Sequence, residues 1–209
     1  MQSGKSTFIK KLLKWRHLLF DENPGIVIYV YASRTPDIDE MLGKGLINKA
    51  VNHLPEEYQS FKKLLEPYVN EGILLVIDDG LSQLENYLPE VFEEYTSKNK
   101  TTVLFVSQAT FLDSANFRRL SDNSHYIICT PNKRNFLKIR NLAMQARPCN
   151  HQFVINAYMD ATKPKLSIEG VSYGYFILDF SVSSPEALAF KTSIFPNEYE
   201  PVTVYLEAD

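Results

Sequence analysis

The chain has 209 residues, with 22 Lys and Arg against 25 Asp and Glu and a formal net charge of −3. That balance excludes a protein that holds nucleic acid through a strongly basic average, although gripping phosphates with a few loop residues needs no such average. A hydrophobic fraction of 44% and a charged fraction of 22% are those of a globular chain, and the length suits a single α/β domain over residues 1–209. There is no signal-peptide pattern and no apolar run long enough to cross a bilayer, so no membrane partner is expected. Cys129 and Cys149 are separated by no zinc-motif spacing, and such a pair suits a reducing, intracellular compartment. The four histidines are scattered, and His125, opening a strand, reads as structural.

In chain order, the first element is a motif. Gly4-Lys5-Ser6-Thr7 matches the second half of the phosphate-binding loop G-x-x-x-x-G-K-[ST]. Its first glycine would fall before Met1, so the chain is expected to begin inside that loop, without the strand that normally precedes it. In an intact loop the backbone N–H groups and the helix amino end cradle phosphate oxygens. Gly4 lets the backbone approach closely. Lys5 would reach the β- and γ-phosphates, and the Ser6 hydroxyl would hold Mg²⁺. Gly4, Lys5, Ser6 and Thr7 are therefore the candidate nucleotide-binding residues. Phe8, Ile9, Leu12, Leu13 and Leu19 recur at helical spacing, which predicts a helix from Lys5 to Phe20 that opens on the motif.

Ile26–Tyr31 is a β-branched and aromatic run, hence a buried strand. A short helix is predicted from Pro36 to Met41, with acids in its first turn, broken by Gly43 and Gly45. Another runs from Pro55 to about Val69. Gly72 to Asp79 is then a continuous apolar run ending in two carboxylates. A buried parallel strand reads this way, and acids at its carboxyl end sit where open α/β sheets bind ligands. Asp78 would hold the Mg²⁺ shell, and Asp79 would orient the attacking water. Many ATPases place Glu at the second position, and Asp is one methylene shorter.

Leu84 to Ser97 reads as a helix, and Thr101–Val106 as the next strand, ending at Ser107-Gln108. A short helical stretch near Phe111–Leu120 leads to a strand over His125–Thr130. Helices are predicted over Asn135–Ala146 and Phe153–Tyr158, and a single late strand over Tyr173–Phe180. The tail from 197 to 209 reads as irregular. Strands alternating with helices predict a mostly parallel, doubly wound sheet with right-handed crossovers. Without the strand that should precede Gly4, that sheet would expose two edges in its middle.

The order becomes specific at Gln108. A strand ending in a polar residue, beside the acids of Asp78-Asp79, resembles the polar sensor of additional-strand P-loop ATPases, and a glutamine there resembles the FtsK–HerA branch. Trp15-Arg16-His17 with Leu18-Leu19-Phe20, and Ile28-Tyr29-Val30-Tyr31, resemble the start of genome-packaging ATPases of Polinton/Maverick elements and related poxvirus-like viruses. So do Arg118 ahead of Asn123-Ser124-His125-Tyr126-Ile127-Ile128, Asn132-Lys133-Arg134, and Ile139 with Leu142-Ala143. Tyr173-Gly174-Tyr175 with Leu178-Asp179, and Ile194-Phe195-Pro196, fit the same pattern. The resemblance runs from Gly4 to about Pro196. It departs at the front half of the P-loop and at Lys165–Ser172, which reads as an insertion in a loop.

The resemblance implies a P-loop NTPase fold and an ATP- and Mg²⁺-dependent motor. Such ATPases form homo-oligomeric rings around double-stranded DNA and drive it into a capsid, at assembly sites in the host nucleus or cytoplasm or with the virion. Gln108 would touch the γ-phosphate or the lytic water. A neighbouring subunit would supply an arginine to the γ-phosphoryl group, with Arg118 as the first candidate and Arg134 as the second. Arg119 can exchange roles with Arg118. Lys98 and Lys100, or Lys133 and Lys138, are candidates for DNA contact and none is singled out; the face of Lys10, Lys11, Lys14 and Arg16 reads rather as a solvated helix surface. Two alternatives stay open: a small P-loop kinase, and a weakened or inert remnant of such a motor.

Overall fold

The computed structural model describes residues 4–79, 87, 89–96, 98–107, 115–132, 136–167, 170–196, 198 and 201–207. Its contacts divide into two compact units, Ile9–Asn123 and Met1–Phe8 with Ser124–Asp209.

The Ile9–Asn123 unit is built on a parallel sheet. Strands β1 (Ile26–Tyr31), β2 (Lys49–Asn52), β3 (Ile73–Asp78) and β4 (Thr101–Val106) lie in the order β2-β1-β3-β4. The register sets Asn52, Tyr31, Asp78 and Val106 side by side at the carboxyl ends. Successive side chains of a strand point to opposite faces, and both faces are covered here. Ile28, Val30, Ile73, Leu75 and Ile77 pack with Phe61 and Leu65 of helix α4 (Tyr58–Leu65), with Val91 and Tyr95 of a π-helical segment (Glu90–Thr96), and with Leu120. Val27, Tyr29, Tyr31, Leu74, Val76 and Val106 pack with Ile9 and Leu13 of α1 (Lys5–Lys14) and with Ile38 and Met41 of α3 (Pro36–Gly43). Burial on both sides is the physical reason β1 and β3 read as unbroken apolar runs.

Several boundaries differ from expectation. The opening helix does not run unbroken to Phe20: it stops at Lys14, turns at Trp15 and resumes as α2 (Arg16–Leu19). The Arg16 guanidinium donates to the Leu13 carbonyl at 2.9 Å, which satisfies one acceptor that the end of α1 leaves open. The stretch after Pro55 starts its helix at Tyr58 and finishes as a 3₁₀ segment, Glu66–Glu71. Helix α5 covers Ala115–Asp122. Of the helix expected over Leu84–Ser97, residues 84–86, 88 and 97 lie outside the described residues, and Glu90–Thr96 is π-helical.

The strand pairs described in the other unit are antiparallel, where the alternation of strands and helices predicts a mostly parallel sheet. Strands β5 (Tyr126–Cys129), β8 (Phe176–Asp179), β9 (Phe190–Thr192) and β10 (Thr203–Val204) lie in the order β10-β9-β8-β5. The short β10 falls in the tail expected to be irregular. Within Lys165–Ser172, expected as a loop insertion, the described residues belong to β6 (Pro164–Ser167) and β7 (Gly170–Tyr173), which pair antiparallel. The late strand expected over Tyr173–Phe180 is two strands, because the chain breaks at Gly174. A Cβ on that glycine would sit 2.0 Å from the Ala161 carbonyl oxygen, closer than any side chain permits. Helices α6 (Phe136–Ala146) and α7 (His151–Ala161) pack on each other, and α7 also on β8 and β9. The Asn150 side chain caps α7 by accepting the Phe153 N–H at 3.4 Å. Phe176 stacks on Phe190 with ring centroids 6.1 Å apart, and Tyr158 meets Phe176 edge-on at 6.3 Å.

A buried charge closes β8. The Asp179 side chain is 1% exposed and accepts from Lys191 Nζ at 2.7 Å, Ser184 Oγ at 2.9 Å and the Ser181 N–H at 3.0 Å. Burial alone would push its carboxyl pKa up. The donation from Lys191, the Ser181 N–H and the Ser184 hydroxyl outweighs that and holds it below the ordinary value. A depressed folded-state pKa stabilises the fold above the unfolded value of about 3.9 and loses that contribution as pH falls through the folded value. Asp179→Ala is expected to cost about 3 kcal/mol, since it strands the Lys191 ammonium. Urea unfolding followed by circular dichroism measures this, and the gap between variant and parent should close below pH 4, on the order of the unfolded-state value.

Candidate nucleotide and metal site

The candidate acidic residues belong to the parallel sheet. Five buried apolar residues carry β3 through the core, and Asp78 follows at the carboxyl end, half-buried. Asp78 shares a sheet face with Tyr29 and Tyr31. Tyr29 lies opposite Val76, one diagonal step from Asp78, within reach of an aromatic side chain. Its hydroxyl donates to Asp78 Oδ2 at 2.7 Å. Tyr29 is 3% exposed. Burial and the adjacent carboxylate both raise the phenol pKa, so the hydroxyl keeps its proton and acts as a donor.

Asp79 is the first residue past the strand, and its backbone turns sharply. Its φ is 55°, in the left-handed region, and its N–H donates to the Val106 carbonyl at 3.1 Å. Asp and Asn tolerate that region better than other side chains do. Asp79 is exposed at this turn.

Charges on α1 and α3 organise the same unit. Lys10 donates to Asp37 at 2.9 Å and to Glu40 at 2.7 Å, tying the two helices. Glu40 also accepts from Lys44 at 2.6 Å. The bonds from Lys10 and then Lys44 hold the Glu40 carboxyl down at about 2. Lys10 is thus engaged with α3, whereas its face reads in the sequence as a solvated surface. Arg118, the first candidate for an arginine finger, is exposed on α5.

The candidate phosphate-binding residues open α1. Gly4 has φ 79°, which favours glycine, and its carbonyl accepts the Phe8 N–H at 2.9 Å to start the helical ladder. A Cβ there would approach Tyr173 Cβ to 3.4 Å. Lys5 is half-buried, and Ser6 and Thr7 are exposed on the first turn. An α-helix turns its first N–H groups out of its amino end with a partial positive charge, and α1 has no acid in its first turn to offset it. Phe8 fixes this turn from beneath, with its ring 4.8 Å from Tyr175 and 5.2 Å from Phe195.

Gln108 and Arg134 lie outside the described residues. Tyr29 is the site residue that sequence reasoning missed. The signal was a tyrosine in the middle of a buried strand, whose hydroxyl must find a partner. Among the described residues no group of three His, Cys, Asp or Glu could hold a metal by itself. The donors present suit magnesium brought with a nucleotide, which takes one or two carboxylates and fills its remaining positions with phosphate and water.

No family model matches this chain, and no curated protein or solved structure matches it. The fold is α/β, with a four-stranded parallel sheet flanked by helices, compatible with a Rossmann-like arrangement. No described helix is long and apolar enough to cross a membrane.

Proposed function

We propose that this chain is a P-loop NTPase that binds ATP with magnesium and hydrolyses it to drive double-stranded DNA into a viral or virus-like capsid. The observation that carries the reading is the pair Asp78 and Asp79 at the carboxyl end of a buried parallel strand, the first held by Tyr29 and the second exposed at a sharp turn. Open α/β sheets bind ligands at that end. Gly4, Lys5, Ser6 and Thr7 are the phosphate-binding residues of this reading, and Asp78 is its magnesium carboxylate. The ion, when bound, neutralises charge on the β- and γ-phosphate oxygens. Asp79 accepts a hydrogen bond from the attacking water and aims it. Gln108 senses the γ-phosphate, and Arg118 or Arg134 of a neighbouring copy in a ring stabilises the transferred group.

The motor assignment rests on the resemblance to genome-packaging ATPases, which also implies a capsid partner and an assembly site in the host nucleus or cytoplasm. Hydrolysis measured with and without double-stranded DNA tests it, and stimulation by DNA is the expected result. Phosphate transfer to small hydroxyl acceptors without stimulation by DNA would assign a kinase instead. Absence of any nucleotide binding would make the chain an inert remnant.

A further inference from the structure

We propose that Tyr29 is a positioning residue for Asp78, its hydroxyl pinning Oδ2 so that the carboxylate meets a nucleotide-bound magnesium ion in one fixed orientation. This inference rests on the reading of Asp78 as a magnesium donor. The hydroxyl is 2.7 Å from Oδ2, and the acceptor is a carboxylate, which makes the bond one of the stronger kinds.

The Tyr29 ring is held by its packing. It lies on β1, between β2 and β3, and its face is packed by Ile9 and Leu13 of α1 and Ile38 and Met41 of α3. Magnesium demands near-ideal octahedral geometry, while calcium accepts irregular ligand sets. A donor that orients a ligating carboxylate is commonly worth 10- to 100-fold in metal affinity. The ring's packing needs no hydroxyl, since a phenylalanine would fill the same space among these apolar neighbours. The hydroxyl is accounted for by Asp78.

The test is Mn²⁺ binding, followed by electron paramagnetic resonance on the whole chain saturated with a non-hydrolysable ATP analogue. Tyr29→Phe is expected to weaken Mn²⁺ binding roughly tenfold. Competition should show a larger loss for Mg²⁺ than for Ca²⁺, and affinity for the metal-free nucleotide should not change. A residue that only packs would move none of these selectively. In an Asp78→Asn background the Tyr29→Phe change should have no further effect, because the two act as one unit. Additive effects would overturn the proposal. If Asp78→Asn weakens Mn²⁺ binding and Tyr29→Phe does not, the positioning role fails alone. If Asp78→Asn changes nothing, the metal role of Asp78 fails first. Should Tyr29→Phe not fold, 3-fluorotyrosine placed at position 29 keeps the hydroxyl. Its fluorine resonance should shift when magnesium is added to the nucleotide-bound protein, and an unmoved resonance would equally overturn the assignment.

Discussion

Asp79→Asn is expected to bind ATP as the parent does and to hydrolyse it at least ~100-fold more slowly, the usual contribution of a positioned general base. The substitution is a clean chemical test because of the backbone. Asp79 has φ 55°, a conformation Asn adopts as readily as Asp, and its N–H bond to the Val106 carbonyl is a main-chain bond that survives the change. Only the charge and one acceptor are lost. Asp79→Ala would remove the same carboxylate but would add strain at a left-handed position, so a rate loss there would mix chemistry with local refolding. The exposed side chain has little packing to lose. Single-turnover hydrolysis alongside equilibrium binding of a fluorescent ATP analogue separates the two effects. Parent-like turnover in Asp79→Asn would remove this residue from the mechanism.

How much of this was legible in the sequence depended on how many faces each element buries. β1 and β3 are covered on both sides, and a strand covered on both sides must be apolar at every position. Ile26–Tyr31 and Ile73–Asp78 could be read for that reason. β2 escaped. Lys49-Ala50-Val51-Asn52 is four residues long, pairs among the described strands with β1 alone, and is polar at both ends. Nothing in its composition separates it from the turn residues around it.

Pairing direction was the harder question. Tyr126–Cys129 looks as apolar as a parallel core strand, but its partner is Phe176–Asp179 and the pairing is antiparallel. Direction is set by the path of the connecting chain, and two helices between strands do not force a parallel return. The antiparallel pair of β6 and β7 was hidden in a stretch read as a loop insertion, and the break at Gly174 became visible only once the Ala161 carbonyl stood beside it.

The candidate site divides in the same way. Acids that close an apolar run, and a glycine that opens a helix, are properties of contiguous sequence, so Asp78, Asp79 and Gly4 could be named from it. The Tyr29–Asp78 bond spans 49 residues of chain, and Lys10 reaches Asp37 across 27. No local spacing rule reaches so far. A buried tyrosine signals that some acceptor exists, and only the register of β1 against β3 says which one.

Lys5→Ala is expected to reduce ATP affinity ~100-fold, or about 2.8 kcal/mol, because a lysine that meets the β- and γ-phosphates supplies charge-assisted bonds that alanine cannot replace. The fold should tolerate the change. Alanine is the best helix former, and Lys5 sits at the first position of α1, whose anchor in this unit is the buried ring of Phe8 against Tyr175 and Phe195. The size of the loss should follow the phosphate count. Calorimetric titration with ATP, ADP and AMP should show the largest difference from the parent for ATP, a smaller one for ADP, and none for AMP, which lacks the phosphates Lys5 would touch. Equal losses for all three would point to a general disturbance of the helix amino end. Unchanged affinity for ATP would remove Lys5 from phosphate binding, and with it the reading of Gly4-Lys5-Ser6 as part of a phosphate-binding loop.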